Sequence, residues 1–462
     1  MLGVLLVGYP VFWVLGLAAF ASVVMSVPMA MELARRRPLK LPRGFALWVL
    51  FLVWTAIGVL LLGLNPSGYL PGSASGRLFG FGMREMSYIS VTIVLLFIGN
   101  LTEEELPVRK IVSWLGWFFV TVVVGGVLGI LLPNLTFVSP FEMILPGGIR
   151  SNDFVQNLVH PRTAQVQELL SDATPRPAAP FTYTNAWGFH VTLLGFWFVV
   201  DRFLLKTRRS RLVSMGVLVV GVVVLTMSLN RAAWMGVVLA VVLVAFRLAL
   251  RGRLVMVVGI VMVAVFAVGA LLATPMGDLV AGRLENGKSD DIRSFTTQKA
   301  FELAKESPVV GFGTTRSSLG SASSIAVGRS AQCPTCGNAS IGMNGYLYML
   351  LVTTGYVGAG LFFGFAGSLV WRTRKIWNPA VLGASTAVFV TGFYAFFYDG
   401  ATWMLVPFVS VAVLWREDQR RHIDSREGAV GVELSSFGVG QHVGRDETAL
   451  PRGRVRDVGR RP

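Results

Sequence analysis

Uninterrupted apolar runs of about 20 residues recur along the whole chain, and no other feature constrains its fold as strongly. They lie at 5–30, 44–64, 87–101, 111–132, 185–205, 213–229, 232–248, 254–273, 345–371, 378–397 and 400–415. Each is apolar throughout, without the period-two alternation of a barrel strand. Only 14% of the 462 residues are charged, against roughly 25% in soluble domains. The expected fold is therefore all-α: a polytopic transmembrane bundle of about 11–12 spans. An ordinary cytosolic enzyme and a disordered chain are excluded. So is a disulfide scaffold, because Cys333 and Cys336 are the only cysteines.

A net charge of +16 would suit nucleic-acid binding if it were spread over one face. Instead it sits in short clusters between runs. Arg35, Arg36, Arg37, Lys40 and Arg43 follow the first run, and Lys206, Arg208, Arg209 and Arg211 follow the fifth. Arg247, Arg251 and Arg253 follow the seventh, and Arg372, Arg374 and Lys375 the ninth. The loop after the third run is mixed, with Glu103 to Glu105 beside Arg109 and Lys110. Positive charge near span ends stays cytoplasmic. The alternation puts the N-terminus outside, the C-terminus inside, and the long polar insertions 133–184 and 274–344 outside. Residues 1–33 are long for one crossing and short for two, so a tilted helix or an upstream helix would each fit. The bundle is expected over 1–415. The tail 416–462 mixes ten Arg with eight Asp or Glu and no apolar period; it is expected to be disordered, cytoplasmic and close to anionic lipid.

The insertion 274–344 is the most informative. Ser289-Asp290-Asp291 supplies a cap and two acids where a helix dipole favours them. Ile292, Phe295, Ala300 and Leu303 follow near helical spacing, and Pro308 ends the pattern. An amphipathic helix of about four turns is predicted, either as a lid or as part of a site. In Pro308-Val-Val-Gly311-Phe-Gly313 the glycines allow a sharp turn and a close approach of backbone N–H groups to a ligand. Arg283, Arg293, Arg316 and Arg329 share this insertion. Arg231 sits in the tight turn Ser228-Leu-Asn-Arg-Ala-Ala-Trp234. It either snorkels to the interface or faces the bundle as an anion site, where a planar fork suits phosphate oxygens.

Cys333-Pro-Thr-Cys336 reads as a local disulfide, since zinc would need two further ligands and no His is near. His160 reads as a solvated surface residue or a general base. His190 reads as a packed residue within its span. Tyr394 to Tyr398 resemble an interfacial aromatic belt, and Asp399 beside them either caps the next helix or pairs with an arginine. No metal-ligand cluster and no cofactor motif is present.

Taken in order, these motifs resemble a known family. The order is Ser228-Leu-Asn-Arg231-Ala-Ala-Trp234, a long outer loop with Arg293 on a helix, Pro308-x-x-Gly311-x-Gly313, then Asn344-Gly-Tyr-Leu leading to Thr354-Gly355-Tyr-Val-Gly358. The pattern covers about 185–371 and is similar to the bacterial O-antigen ligase and O-antigen polymerase family, membrane glycosyltransferases of surface polysaccharide assembly. The resemblance implies a multi-pass protein of the bacterial inner membrane with its site at the outer face. It implies a polyprenyl-diphosphate-linked glycan donor, a glycan or lipid acceptor hydroxyl, no cofactor and no nucleic acid. Arg231 and Arg293 match the family's diphosphate-binding arginines, with Arg283 and Arg316 as further candidates. Pro308, Gly311, Gly313 and Gly355 supply turns. The family's loop histidine falls on Asn344, which takes no proton at neutral pH. Asp290, Asp291 or His160 would then serve as base, or departure of the diphosphate would dominate the barrier. The competing class is a transporter or flippase of a lipid-linked or anionic solute, which expects mid-span charge and broken helices.

Overall fold

The computed structural model describes residues 1–170, 172–204, 211–274, 277–278, 280–282, 288–318, 339–400 and 404–436. Side chains at 153–154, 166–174, 267–268, 270–272, 288–292 and 424–436 also fall outside the description. The fold is all-α and polytopic. Among the described residues, five helices are long and apolar enough to cross a membrane: Ala18–Arg35, Ala74–Asn100, Val108–Leu131, Arg231–Ala249 and Tyr346–Thr373. Shorter apolar helices accompany them at Phe45–Leu61, Arg211–Met227, Leu254–Phe266 and Pro379–Tyr394. Val108–Leu131 lies at the centre, packed on Thr184–Val199, Leu2–Val7 and Arg211–Met227. The core is aromatic: Trp48, Trp187, Trp197 and Trp415 are fully enclosed, and such rings bury more area than any other side chains.

Several of the clusters expected to share one side converge at one end of the body Met1–Asp418. Arg36 Nη2 meets Glu105 Oε1 at 2.6 Å, and Lys40 N donates to Asn100 Oδ1 at 2.7 Å. Arg416 Nη2 pairs with Glu103 Oε2 at 2.7 Å, and Asn378 Nδ2 donates to Glu417 Oε2 at 2.7 Å. This is the basic end. The polar insertions gather at the other, the loop end.

Three expectations need correction. Residues 5–30 do not form one span. Helices Leu2–Val7 and Tyr9–Val14 lead to a turn at Gly16, φ +78°, and Ala21–Arg35 returns. Gly3 packs on Trp114, within the first two turns after the basic-end loop, whereas Leu15 O accepts from Phe141 N at the loop end. Met1 therefore lies at the basic end, the end opposite to that expected. The third span begins not near 87 but at Ala74, capped by Ser73, whose hydroxyl accepts from Gly76 N. Arg84 and Glu85 thus lie inside a spanning helix. Finally, the last helix is Leu405–Ser436, so 416–436 is helical and only 437–462 lies outside the described residues.

Within the insertion 133–184, Ala164–Leu170 and Asp172–Pro177 form an antiparallel hairpin that sets Gln165 opposite Arg176. The helix predicted after Ser289 is present as Lys288–Glu306 and packs on Tyr346–Thr373.

Candidate functional site

The short segment after Pro379–Tyr394 brings the site together. Arg293 Nη1, on Lys288–Glu306, donates to Phe397 O at 3.1 Å. Tyr398, the next residue, donates its hydroxyl to Asn230 Oδ1 at 2.7 Å. Asn230 caps Arg231–Ala249, its amide oxygen also accepting from Ala233 N. Arg231 is therefore the first residue of that helix, half-buried, adjacent to the Tyr398 anchor. The two arginines singled out in the sequence flank one segment.

A third arginine escaped the sequence reading. Arg176, on the hairpin, is buried, and its Nε donates to Ser228 O at 2.9 Å. Its own carbonyl accepts from Thr184 Oγ1 at 3.2 Å. Burial pushes the Tyr398 hydroxyl up from its ordinary value, and Arg176 and Arg293 both oppose that shift. Both guanidinium groups thus act on the same buried hydroxyl. Nothing in the local sequence marks Arg176; only the register that places it over the Ser228–Asn230 turn does so.

An open cleft of ≈ 340 Å³ runs along Arg293, Ser294, Thr297, Asn344, Tyr348 and Phe397. Asn344 lines it, and its amide nitrogen donates to Thr296 Oγ1, on the helix that carries Arg293. The position expected for a base is thus in the cleft, but it carries an amide. Asp290 and Asp291 lie in the first turn of Lys288–Glu306, and their side chains are outside the described residues. Arg283, Arg329, Cys333 and Cys336 lie outside them altogether.

Arg316 does not behave as a ligand arm. It is 2% exposed, and its guanidinium donates to the carbonyls of Phe312, Thr314, Thr315, Leu61 and Leu64. Burial, followed by nearby Arg77, pushes its pKa down to about 10. Its role is to tie the loop after Gly313 to the end of Phe45–Leu61.

The glycine motif is also used internally. Tyr346–Thr373 is broken at Gly355, φ +67°. The carbonyls of Val352 and Thr353, freed by the break, accept from Phe312 N at 2.8 Å and Gly313 N at 3.0 Å. Trp54 Nε1 takes Thr354 O at 3.0 Å, and Tyr356 N donates to Pro308 O at 2.8 Å. Arg84 Nη2 donates to Gly313 O at 2.5 Å. The expected turn at Gly311 and Gly313 is present, but its N–H groups close a seam within the protein instead of facing a ligand. Non-helical backbone at such depth is tolerated only where protein satisfies it.

His160 forms a separate pair. Its Nδ1 lies 2.7 Å from Glu142 Oε2, and Gln156 Nε2 donates to Glu142 Oε1 at 3.0 Å. Burial raises the Glu142 pKa, but hydrogen bonds from Gln156 and His160 outweigh it and hold the carboxyl below its ordinary value. A lowered folded-state pKa adds stability above the unfolded value of about 4.3, and that stability is lost as pH falls through the folded one. Amide exchange over 139–160 should therefore accelerate in acid below about pH 4. Glu142→Gln should abolish that acid step; an unchanged step would assign it to another group.

Residues 186–331 match the model of the family described as O-antigen ligase. No curated protein and no solved structure matches the chain. The matched stretch holds Arg231, Arg293 and Pro308 to Gly313, but ends before Asn344 and Gly355. Over these residues, the part that carries both flanking arginines, the chain is similar to the O-antigen ligase family.

Proposed function

We propose that the protein transfers a glycan from a polyprenyl diphosphate to an acceptor hydroxyl at the outer membrane face, as a surface polysaccharide polymerase or ligase. The observation that carries this reading is that Arg293 donates to Phe397 O and Arg176 acts with it on the Tyr398 hydroxyl, while Arg231 directly follows Asn230, the residue Tyr398 anchors. Departure of a diphosphate builds negative charge. Fixed guanidinium groups stabilise it without reorganising, because the fold already holds them. Arg293 is held against Phe397 O and Arg176 against Ser228 O, so two of the three are preorganised. In the cleft, Asn344 orients the acceptor hydroxyl by hydrogen bonding and does not deprotonate it. The bond from the anomeric carbon to the diphosphate breaks first, the acceptor oxygen bonds to the anomeric carbon, and its proton then passes to the departed diphosphate or to water. General base help is worth about 10²–10⁴ in rate, so an amide at this position slows transfer without abolishing it.

Glycan profiling of a deletion strain tests the reading. Single-unit glycans indicate a polymerase, accumulated lipid-linked polymer indicates a ligase, and an unaltered glycan overturns both.

One pair of observations favours a flippase as the second reading: the break at Gly355 and the intramembrane pair of Arg84 Nε and Glu85 Oε1, 3.7 Å apart. Both features are sealed against the Pro308–Gly313 seam, which argues for a structural use. In proteoliposomes, lipid-linked glycan crossing the bilayer with no covalent product would select the flippase.

A further inference from the structure

The basic end treats its arginines unequally. Arg36 meets Glu32 and Glu105, Arg416 meets Glu103, and Arg202 meets Asp201. At one corner this pairing stops. The loops 247–253 and 372–377 bring together Arg247, Arg251, Arg253, Arg372, Arg374 and Lys375, and no ion pair to a carboxylate is found for any of them among the described residues. Arg251 and Arg253 both lie over the ring of Trp377, at 4.9 Å and 5.9 Å from its centroid. Arg251 Nη2 also reaches Lys375 O at 3.4 Å. Arg374 lies 3.7 Å over Trp371. Deeper in, Arg247 Nη1 donates to Ser385 Oγ at 2.5 Å. Two like charges gathered on one indole repel each other, and among the described residues no carboxylate forms an ion pair with either of them.

Apolar surface adjoins this corner. Phe246, Leu250, Leu254, Val255 and Trp371 are each at least 60% exposed. A free anion would need only the charges, whereas a phospholipid uses both the charges and the apolar wall. We propose that this corner is a binding site for an anionic phospholipid. The headgroup phosphate lies between Arg251, Arg253 and the Arg374–Lys375 turn, and the acyl chains lie against Leu254–Phe266. Guanidinium groups fixed on indole faces are pre-oriented for phosphate oxygens. The site does not depend on the transferase reading, since it lies at the opposite end of the bundle.

The test uses the full chain in detergent, with phosphatidylglycerol retention read by native mass spectrometry. Arg251→Gln/Arg253→Gln should weaken retention about thirty-fold, at about 1 kcal/mol per cation near a membrane surface. Arg35→Gln/Arg37→Gln removes the same charge from another loop of the same end and should leave retention unchanged. Arg253→Gln alone gives a second variant, because among the described residues its side chain makes no hydrogen bond that the fold could miss. Equal losses in the control pair would reduce the effect to general charge attraction and overturn the proposal. So would undiminished retention in the variants. Displacement of the lipid by inorganic phosphate at matched concentration would assign the corner to a free anion and overturn it equally.

Discussion

Arg293→Ala should lower glycan transfer from a lipid-linked donor by about 10²–10³, the loss typical when one fixed donor to a developing anion is removed. Two effects combine. The guanidinium is lost from the cleft it shares with Asn344, and Phe397 O loses its donor, so the Tyr398 anchor of Asn230 loosens. Arg293→Lys separates them. It keeps the charge but not the planar fork, so it should recover part of the donor KM and little of kcat. Arg231→Ala should behave similarly, since Arg231 starts the helix that Asn230 caps. Arg176→Ala is the stricter check, because no motif marks that residue. If it transfers as the parent does, the Arg176 side chain only supports the Ser228 turn. Full activity in both Arg231→Ala and Arg293→Ala, with protein still inserted, would sink the enzymatic reading.

Hydropathy made most of the bundle legible, because each crossing must bury its backbone hydrogen bonds within one apolar helix. It failed where backbone conformation alone decides. Gly16 turns the chain inside a continuous apolar run, and no hydropathy window registers a positive φ. Arg84 and Glu85 read as loop residues because they are charged, yet Thr55 Oγ1 donates to Glu85 Oε2 and Gly313 O receives Arg84, so the helix accommodates them. Motif order brought Arg231 and Arg293 into the candidate site. Arg176 was not, because its position depends on a hairpin register and on a contact 52 residues away. Arg316 looked like a ligand by residue type; only its five carbonyl partners show otherwise. The glycine motif was read correctly as a turn but assigned the wrong partner, since the carbonyls it serves appear only when Gly355 breaks the helix.

That seam carries the largest expected structural effect. Gly311 sits at φ +66°, and a Cβ there would lie 2.5 Å from the Thr353 carbonyl carbon. At Gly355 a Cβ would lie 2.5 Å from both Pro308 O and Val309 O. The obstructing atoms are backbone in each case, so no rotamer relieves the clash. Left-handed geometry alone costs about 1–3 kcal/mol for a residue with a Cβ, and the clash adds to it. Gly311→Ala or Gly355→Ala should therefore destabilise by more than about 3 kcal/mol, a large share of the total stability, and lower the thermal midpoint of the protein that still folds. Gly367→Ala is the matched control. It lies in the same helix, meets nothing within 4 Å, and should be neutral or stabilising by about 0.5–1 kcal/mol. Because the two seam glycines oppose each other across the same hydrogen bonds, the double substitution should cost clearly less than the sum of the singles. Additive losses, measured as thermal midpoints in one detergent, would mean that Gly311 and Gly355 strain separate parts of the fold and that the seam is not a single unit.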